Sequence, residues 1–148
     1  MTGKGTGPAG SSPLAVLAGD HAYEVTVTMK PLGEDTEGGL LLFFNDALFL
    51  GMGYDGSTMT TYHGGRRSHW REPVPAAAVL HLRIVNDRHV VTFFHRTDGA
   101  AWTRHGVRFE TSGYHANTAG DLLSLRPALF ATGGGTVSFR DFRYRALP

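Results

Sequence analysis

Two short segments of the sequence concentrate side chains that bind sugars or proteins. The first is YHGGRRSHW, residues 62–70, and the second is SGYHANTAGDLLSLRP, residues 112–127. Flat aromatic faces pack against the C–H surface of a pyranose ring, while amide, imidazole and guanidinium groups bind its hydroxyls. Trp, Tyr and Arg also dominate protein–protein contacts. We therefore predict a carbohydrate-binding site or a domain interface with these candidate residues: Tyr62, His63, Arg66, His69, Trp70, Tyr114, His115 and Asn117.

Carboxylates, the groups needed for general acid and base chemistry, fall mostly in predicted turns of this sequence. Turn carboxylates usually cap backbone N–H groups or face solvent, whereas glycoside hydrolysis needs two of them on either side of one pocket. No Gly-x-Ser-x-Gly segment marks a serine nucleophile. We predict no catalytic residues in this chain. The turn carboxylates are Asp20, Asp46, Asp55, Asp87 and Asp98.

Metal ligands are not arranged in a recognisable pattern. The sequence contains no cysteine, and its eight histidines lack a spacing that would let two of them chelate from one strand face. His81, His89 and His95 are spread over two predicted strands, whereas a zinc site needs three or four ligands. We predict no cofactor, and the alternative left open is a structural calcium ion held by loop carboxylates and carbonyls, with unknown ligands.

Charge and hydropathy exclude two classes of partner. The net charge is +1 and the arginines are scattered, whereas nucleic-acid-binding proteins carry a stronger basic excess. The longest apolar run, residues 40–44, is far shorter than the ~20 residues that span a bilayer. Residues 1–12 lack the apolar core of a secretory signal, and the absence of cysteine favours a reducing compartment. We expect no nucleic-acid or membrane partner and a cytoplasmic location.

Alternation of apolar and polar residues is the dominant pattern and predicts β-strands. The clearest example places four apolar residues on one face of a strand: Tyr23, Val25, Val27 and Met29. Residues 38–44 form a continuous apolar run, which indicates a central strand covered on both faces. Turn residues separate the strand-like segments, and no window predicts an amphipathic helix. We predict an all-β protein with one antiparallel, two-sheet β-sandwich domain over residues 13–148, after a flexible or edge segment over residues 1–12.

Two local features refine this prediction. In residues 136–147 the apolar parity changes after Phe139, so one strand can bury both sets only with a bulge near Arg140 and Asp141. In residues 96–102, Thr97-Asp98-Gly99 predicts a hairpin turn, with Trp102 anchored in the core beside it.

The most specific motifs lie near the end of the sequence. The segment ETSGYHANTAGDLLSLRPALFATGGGTVSFRDFRYRAL, residues 110–147, contains Ser-Gly-Tyr-His, then Ser-Leu-Arg-Pro, then Phe-x-x-Phe-x-Tyr-Arg. Together with SSPLAVLAGDHAYEVTVTM, GGLLLFFNDALFLGMGYDG and RTDGAAW, it resembles the C-terminal concanavalin A-like β-sandwich of bacterial family-43 glycoside hydrolases. These are enzymes of the β-xylosidase and arabinofuranosidase type. The resemblance covers the chain from about Gly3 to Leu147.

The resemblance implies a jelly-roll sandwich that packs against a five-bladed catalytic β-propeller and shapes the rim of its active site. The propeller carries the catalytic carboxylates of the family, so the chain is expected to be a non-catalytic accessory module in xylan or arabinoxylan degradation. Relatives read Tyr-His-His-Asn where this chain reads Tyr114-His115-Ala116-Asn117, so one polar group of that loop is missing. The alternative is a free-standing, lectin-like protein that binds xylo- or arabino-oligosaccharides.

Overall fold

The computed structural model describes residues 1–16, 18, 21–69, 76–106, 108–111 and 125–148, with the backbone alone for residues 68 and 69. Strands make up most of this part of the chain, and the helical structure in it is a short 3-10 turn, Pro8–Gly10, too short to cross a bilayer. The all-β prediction is confirmed. The strands are β1 (Leu14–Ala15), β2 (Ala22–Leu32), β3 (Thr36–Asn45), β4 (Leu48–Tyr54), β5 (Met59–His63), β6 (Arg66–His69), β7 (Leu80–Asp87), β8 (Val90–Arg96), β9 (Thr103–Arg104), β10 (Phe109–Glu110), β11 (Arg126–Gly133) and β12 (Thr136–Ala146).

The strands form two antiparallel sheets. Sheet 1 has the strand order β1-β11-β3-β4-β5-β6. Sheet 2 has the order β10-β8-β7-β2-β12, and β9 also pairs with β8. The sheets stack with β2 against β3, which confirms the predicted two-sheet β-sandwich. The hairpin β11–β12 therefore contributes one strand to each sheet.

The core between the sheets follows from the alternation seen in the sequence. Val25, Val27 and Met29 of β2 are buried against Leu40 and Leu42 of β3. Burial of each such side chain contributes about 1.5–3 kcal/mol relative to leaving it exposed. The core thus fixes β2 and β3 at the centre of the molecule, and the polar residues of β2 that alternate with its buried ones lie on the outer face of sheet 2.

A second apolar cluster lies on the outer face of sheet 1, and it explains the continuous apolar run. Leu41 of β3 points away from the core and is fully buried with Phe49, Tyr62 and Phe130. The prediction that residues 38–44 form a strand covered on both faces is confirmed, because most of β3 is buried irrespective of the direction in which each side chain points.

The predicted bulge in the last strand is present. The register between β12 and β2 shifts between Arg140 and Arg143, where two residues of β12 lie opposite Val27. Asp141 at this point has φ of 55°. Because of the shift, Phe139 and Phe142 both pack against the core although their parity differs.

Residues 1–5 run along the β11–β12 hairpin. The amine of Met1 donates to the carbonyl of Val137 at 2.7 Å, and the Val137 N–H donates to the carbonyl of Met1 at the same distance. The N–H of Gly133 donates to the carbonyl of Gly5 at 3.0 Å. These bonds satisfy backbone groups at the edge of the sandwich.

Candidate functional site

Tyr62 is in the interior and does not present its ring to solvent. Only 2% of its surface is exposed, and its hydroxyl donates a hydrogen bond of 2.7 Å to the Oε1 atom of Glu37. Its ring contacts Phe49 and Phe130 at centroid distances of 5.8 and 5.9 Å. A ring in this position offers no face to a sugar, so Tyr62 in this structure supports the core and holds a buried carboxylate.

Glycines make room for that carboxylate. Gly53 of β4 lies beside Glu37 of β3, and a Cβ atom on Gly53 would stand 2.5 Å from Glu37 Oε2 and 3.0 Å from the ring of Phe130. Gly39 leaves similar space, because its Cβ would stand 2.8 Å from the same ring. The Glu37 carboxylate and the Phe130 ring therefore lie directly on the backbone of sheet 1.

The polar group around Glu37, which we call the Glu37 cluster, comprises Glu37, Thr60, Tyr62 and Arg67. Burial raises the pKa of Glu37 above its ordinary value, and the hydrogen bond from Tyr62 and the charge of Arg67 oppose this only in part. Burial and the neighbouring carboxylate raise the pKa of Tyr62, which therefore stays a donor. Arg67 Nη2 reaches Thr60 Oγ1 at 3.4 Å. The cluster is a hydrogen-bonded unit in which Glu37, Thr60 and Tyr62 are buried and Arg67 is exposed.

Two other candidates lie on the β5–β6 hairpin. His63 and Arg66 are cross-strand partners next to the turn, and Arg66 is exposed. The His63 ring lies 4.8 Å from the ring of Phe109 in sheet 2, and partial burial lowers its pKa. The hairpin thus places one imidazole and one guanidinium group at the edge of the sandwich. The side chain of His69 and the residues Trp70, Tyr114, His115 and Asn117 lie outside the described residues, so their role stays a prediction.

A polar constellation on the outer face of sheet 2 was not predicted from the sequence. Thr28 Oγ1 lies 2.8 Å from His81 Nδ1, and His81 Nε2 lies 2.5 Å from Asp98 Oδ1. Because a carboxylate only accepts hydrogen bonds, the Nε2 atom carries a hydrogen and donates to Asp98, and Nδ1 shares the second hydrogen bond with the Thr28 hydroxyl. Both bonds orient the imidazole ring.

Trp102 belongs to the same outer face, and its predicted place in the core is wrong. Its indole is partly exposed and lies against two guanidinium groups, with Arg96 Cζ at 5.1 Å and Arg83 Cζ at 5.8 Å from the ring. Attraction between a cation and an aromatic face stabilises this arrangement. Alternation alone could have indicated that His81 and Arg83 share the outer face, but Trp102 follows a turn and has no strand parity.

The His81–Asp98 contact gives a titration prediction. The hydrogen bond from His81 lowers the pKa of Asp98 below its ordinary value. The stability that this bond provides is therefore present above the ordinary aspartate pKa and is lost as the pH falls through the lower, folded-state value. We expect His81→Ala to return the Asp98 pKa towards its ordinary value, measured by carboxyl NMR titration. Thr28→Val is the control, because it removes the other bond of the ring, and an equal shift in that variant would contradict the assignment.

In the part of the chain that the structure describes, no group of three or more histidine and carboxylate side chains is placed to hold a metal ion. Of the described carboxylates, Glu24 and Glu37 alone are not exposed. Glu24 lies between Arg83 at 3.0 Å and Arg145 at 2.7 Å. Both of these carboxylates thus have protein partners.

Solved structures share the architecture of this chain. The GH43 protein BlXynB from Bacillus licheniformis matches it with a TM-score of 0.81 and 18% identity, over 99% of this chain and 32% of BlXynB. A xylan beta-1,4-xylosidase from Bacillus halodurans C-125 matches with a TM-score of 0.78 and 15% identity, over 98% of this chain and 32% of the xylosidase. The β-sandwich of this chain therefore has the same fold as a part of each of these two proteins. The resemblance predicted from the sequence is thus confirmed at the level of the fold.

This chain spans about a third of the length of these two proteins. A similar sandwich makes up a larger share of a functionally unknown protein from Saccharomyces cerevisiae, with a TM-score of 0.61 and 13% identity over 92% of this chain and 74% of that protein. No protein-family model matches the sequence, and no characterised protein is similar enough in sequence to count as a relative.

Proposed function

We propose that the chain is a non-catalytic accessory module of a xylan- or arabinoxylan-degrading glycoside hydrolase, which packs against a catalytic β-propeller. The observation that carries this proposal is the coverage of the structural match. The chain matches BlXynB over 99% of its own length but over only 32% of that GH43 protein. A unit that corresponds to a third of an enzyme is expected to work beside the remaining two thirds.

The protein contacts of Glu24 and Glu37, the two described carboxylates that are not exposed, support a non-catalytic role. Hydrolysis of a glycosidic bond needs a general acid and a second carboxylate about 5–10 Å apart across an accessible pocket. Glu37 is only 8% exposed and is held by Tyr62, while Glu24 is paired with two arginines. Neither is available to protonate a leaving group, so the catalytic carboxylates are expected on the partner.

The edge strand β1 offers a surface for that partner. Leu14 and Val16 alternate with Ala15 and are 64% and 40% exposed. Exposed apolar residues on an edge strand favour association with another surface, because the strand adds unpaired backbone groups to the apolar contact. We propose that this edge contacts the propeller.

The test mixes the purified chain with family-43 catalytic domains from the organism that encodes it, produced without a sandwich of their own. We expect a one-to-one complex in size-exclusion chromatography and no hydrolysis of aryl xylosides by the chain alone. Leu14→Glu should weaken the complex at least about tenfold, equal to about 1.4 kcal/mol, because it places a charge in an apolar contact.

Leu32→Glu is the matched control, because Leu32 is 43% exposed but lies at the end of β2, away from β1. It should change the affinity less than about twofold. Failure of every catalytic domain to bind would contradict the proposal, as would xylosidase activity of the chain alone.

The alternative is a free-standing protein that binds xylo- or arabino-oligosaccharides. The match to the Saccharomyces cerevisiae protein favours it, because a sandwich of this kind there makes up 74% of the chain. Trp70 and Trp102 are the two tryptophans of the sequence, so a fluorescence titration with these oligosaccharides, with and without calcium, separates the two functions. Saturable quenching that disappears in Trp70→Phe would favour the alternative, and a flat response in the folded chain would favour the accessory role.

A further inference from the structure

The outer face of sheet 2 contains a cavity of about 250 Å³ that has no role in the proposed contact with a propeller. It lies over the bulge of β12, between that strand and the turn that precedes Trp102. Its walls include a hydroxyl, an imidazole and an indole group together with three charged groups. The side chains are those of Thr26, His81, Arg96, Trp102, Asp141 and Arg143.

The bulge shapes this cavity. Two residues of β12, Asp141 and Phe142, lie opposite the single residue Val27 of β2, so the ladder between the strands is interrupted there. Asp141 has a φ of 55°, in the left-handed region that most residues avoid. Bulges of this kind redirect a side chain and are frequent next to binding sites. Here the bulge places the Asp141 carboxylate in the wall of the cavity.

Two guanidinium groups of the cavity are not held in an ion pair with any described carboxylate, although the charge of Arg96 acts on nearby Asp98. In the described part of the chain Arg96 and Arg143 form no ion pair, whereas Arg83 and Arg145 on the same face both bind Glu24. Arg96 is positioned by its contact with Trp102, and His81 is oriented by Thr28 and Asp98. Preoriented donors with an excess of positive charge favour an anionic ligand that also carries hydroxyl groups.

We propose that this cavity binds a sugar acid, a single pyranose unit that carries a carboxylate. The carboxylate would pair with Arg96 and Arg143, its hydroxyls would bind Asp141 and Thr26, and the apolar part of the ring would lie at the indole of Trp102. A cavity of 250 Å³ is smaller than the ~300–1,000 Å³ of pockets for drug-sized ligands and suits one sugar ring. That the ligand is a sugar rests on the proposed function, whereas the placement of Arg96 and Arg143 in the cavity is observed independently of it.

The experiment follows the indole N–H resonance of Trp102 in ¹⁵N–¹H spectra of the isolated chain, assigned with Trp102→Phe, during titration with D-glucuronate. We expect a saturable shift, and at least about tenfold weaker binding of D-glucose, which has the same ring without the carboxylate. Arg143→Gln should weaken glucuronate binding by at least about tenfold, because a charge-assisted hydrogen bond is lost. Arg96→Gln is the second variant, and spectral dispersion reports whether each variant is folded.

Arg108→Gln is the matched control, because Arg108 is exposed and lies outside the cavity. It should leave the affinity within about twofold of the parent chain. The proposal is overturned if glucuronate causes no saturable shift or if Arg108→Gln weakens binding as much as Arg143→Gln. Equal affinity for acetate, sulfate and glucuronate would also overturn it, since the cavity would then be a simple anion site.

The outcome is independent of the accessory role. Absence of glucuronate binding in a chain that still forms a complex with a catalytic domain would refute the sugar-acid site alone. Glucuronate binding in a chain that forms no such complex would instead refute the proposed accessory function and leave this site in place.

Discussion

Gly39→Ala should destabilise the protein by at least about 3 kcal/mol, because the added methyl group meets backbone of the neighbouring strand. An added Cβ would stand 1.8 Å from the backbone carbonyl oxygen of Met52 and 2.8 Å from the ring of Phe130. Overpacking costs about 1–3 kcal/mol where side chains can shift, and here the backbone of β4 would have to move. For a domain of this size we expect the Tm to fall by about 6–12 °C in thermal unfolding followed by circular dichroism.

Gly134→Ala is the matched control for this substitution. Gly134 lies in the turn between β11 and β12, has no atom within 4 Å of a built Cβ, and lacks a positive φ. The free energy of unfolding of the Gly134→Ala variant should stay within about 1 kcal/mol of that of the parent chain, because the added methyl group meets open space. Equal losses in the two variants would show that the contact between β3 and β4 is not the cause.

The Glu37 cluster gives the second prediction, which depends on pH. The pKa of Glu37 is higher in the folded protein than in the unfolded chain, so its contribution to stability is fully present below the ordinary glutamate pKa and is lost as the pH rises through the folded-state pKa. Glu37→Gln removes the ionisation. We therefore expect the stability of this variant, relative to the parent chain, to increase from acidic to neutral pH in urea denaturation.

Tyr62→Phe tests the same cluster by removing the hydrogen-bond donor to Glu37. The hydroxyl of Tyr62 is a close donor to the buried carboxylate, at 2.7 Å, so its removal should cost about 1–3 kcal/mol at neutral pH. In the Glu37→Gln background, Tyr62→Phe should reduce the stability less, because a hydrogen bond to a neutral amide is weaker than one to a carboxylate. Additive effects of the two substitutions at every pH would contradict the coupling.

Much of the fold follows from local features of the sequence. Alternation places β2 correctly, and turn residues act through bonds that a sequence can indicate. The side-chain oxygen of Asn45 accepts from the N–H groups of residues 47 and 48, and that of Asp55 accepts from those of residues 57 and 58. Such Asx turns involve neighbours in the chain, so propensity alone predicts the hairpins.

The candidate site was harder to predict, because it depends on strands that are distant in the sequence. Tyr62 is buried because it lies opposite Gly51 and beside Phe130, which comes from the far end of the chain. Thr28 and His81 are paired on neighbouring strands although they are 53 residues apart in the sequence. Aromatic residues suit both a platform and a core, so the exposure of Tyr62 and Trp102 is decided by tertiary packing and not by local pattern.

The position of the β11–β12 hairpin has a consequence for synthesis of the protein. It supplies the neighbour of β3 in sheet 1 and the neighbour of β2 in sheet 2. Until residues 126–146 leave the ribosome, the nascent chain therefore carries two open sheet edges at its centre, and contacts of such long sequence separation form slowly. Until the hairpin forms, β2 and β3 each present an unpaired edge, and such edges favour pairing with another copy of the chain.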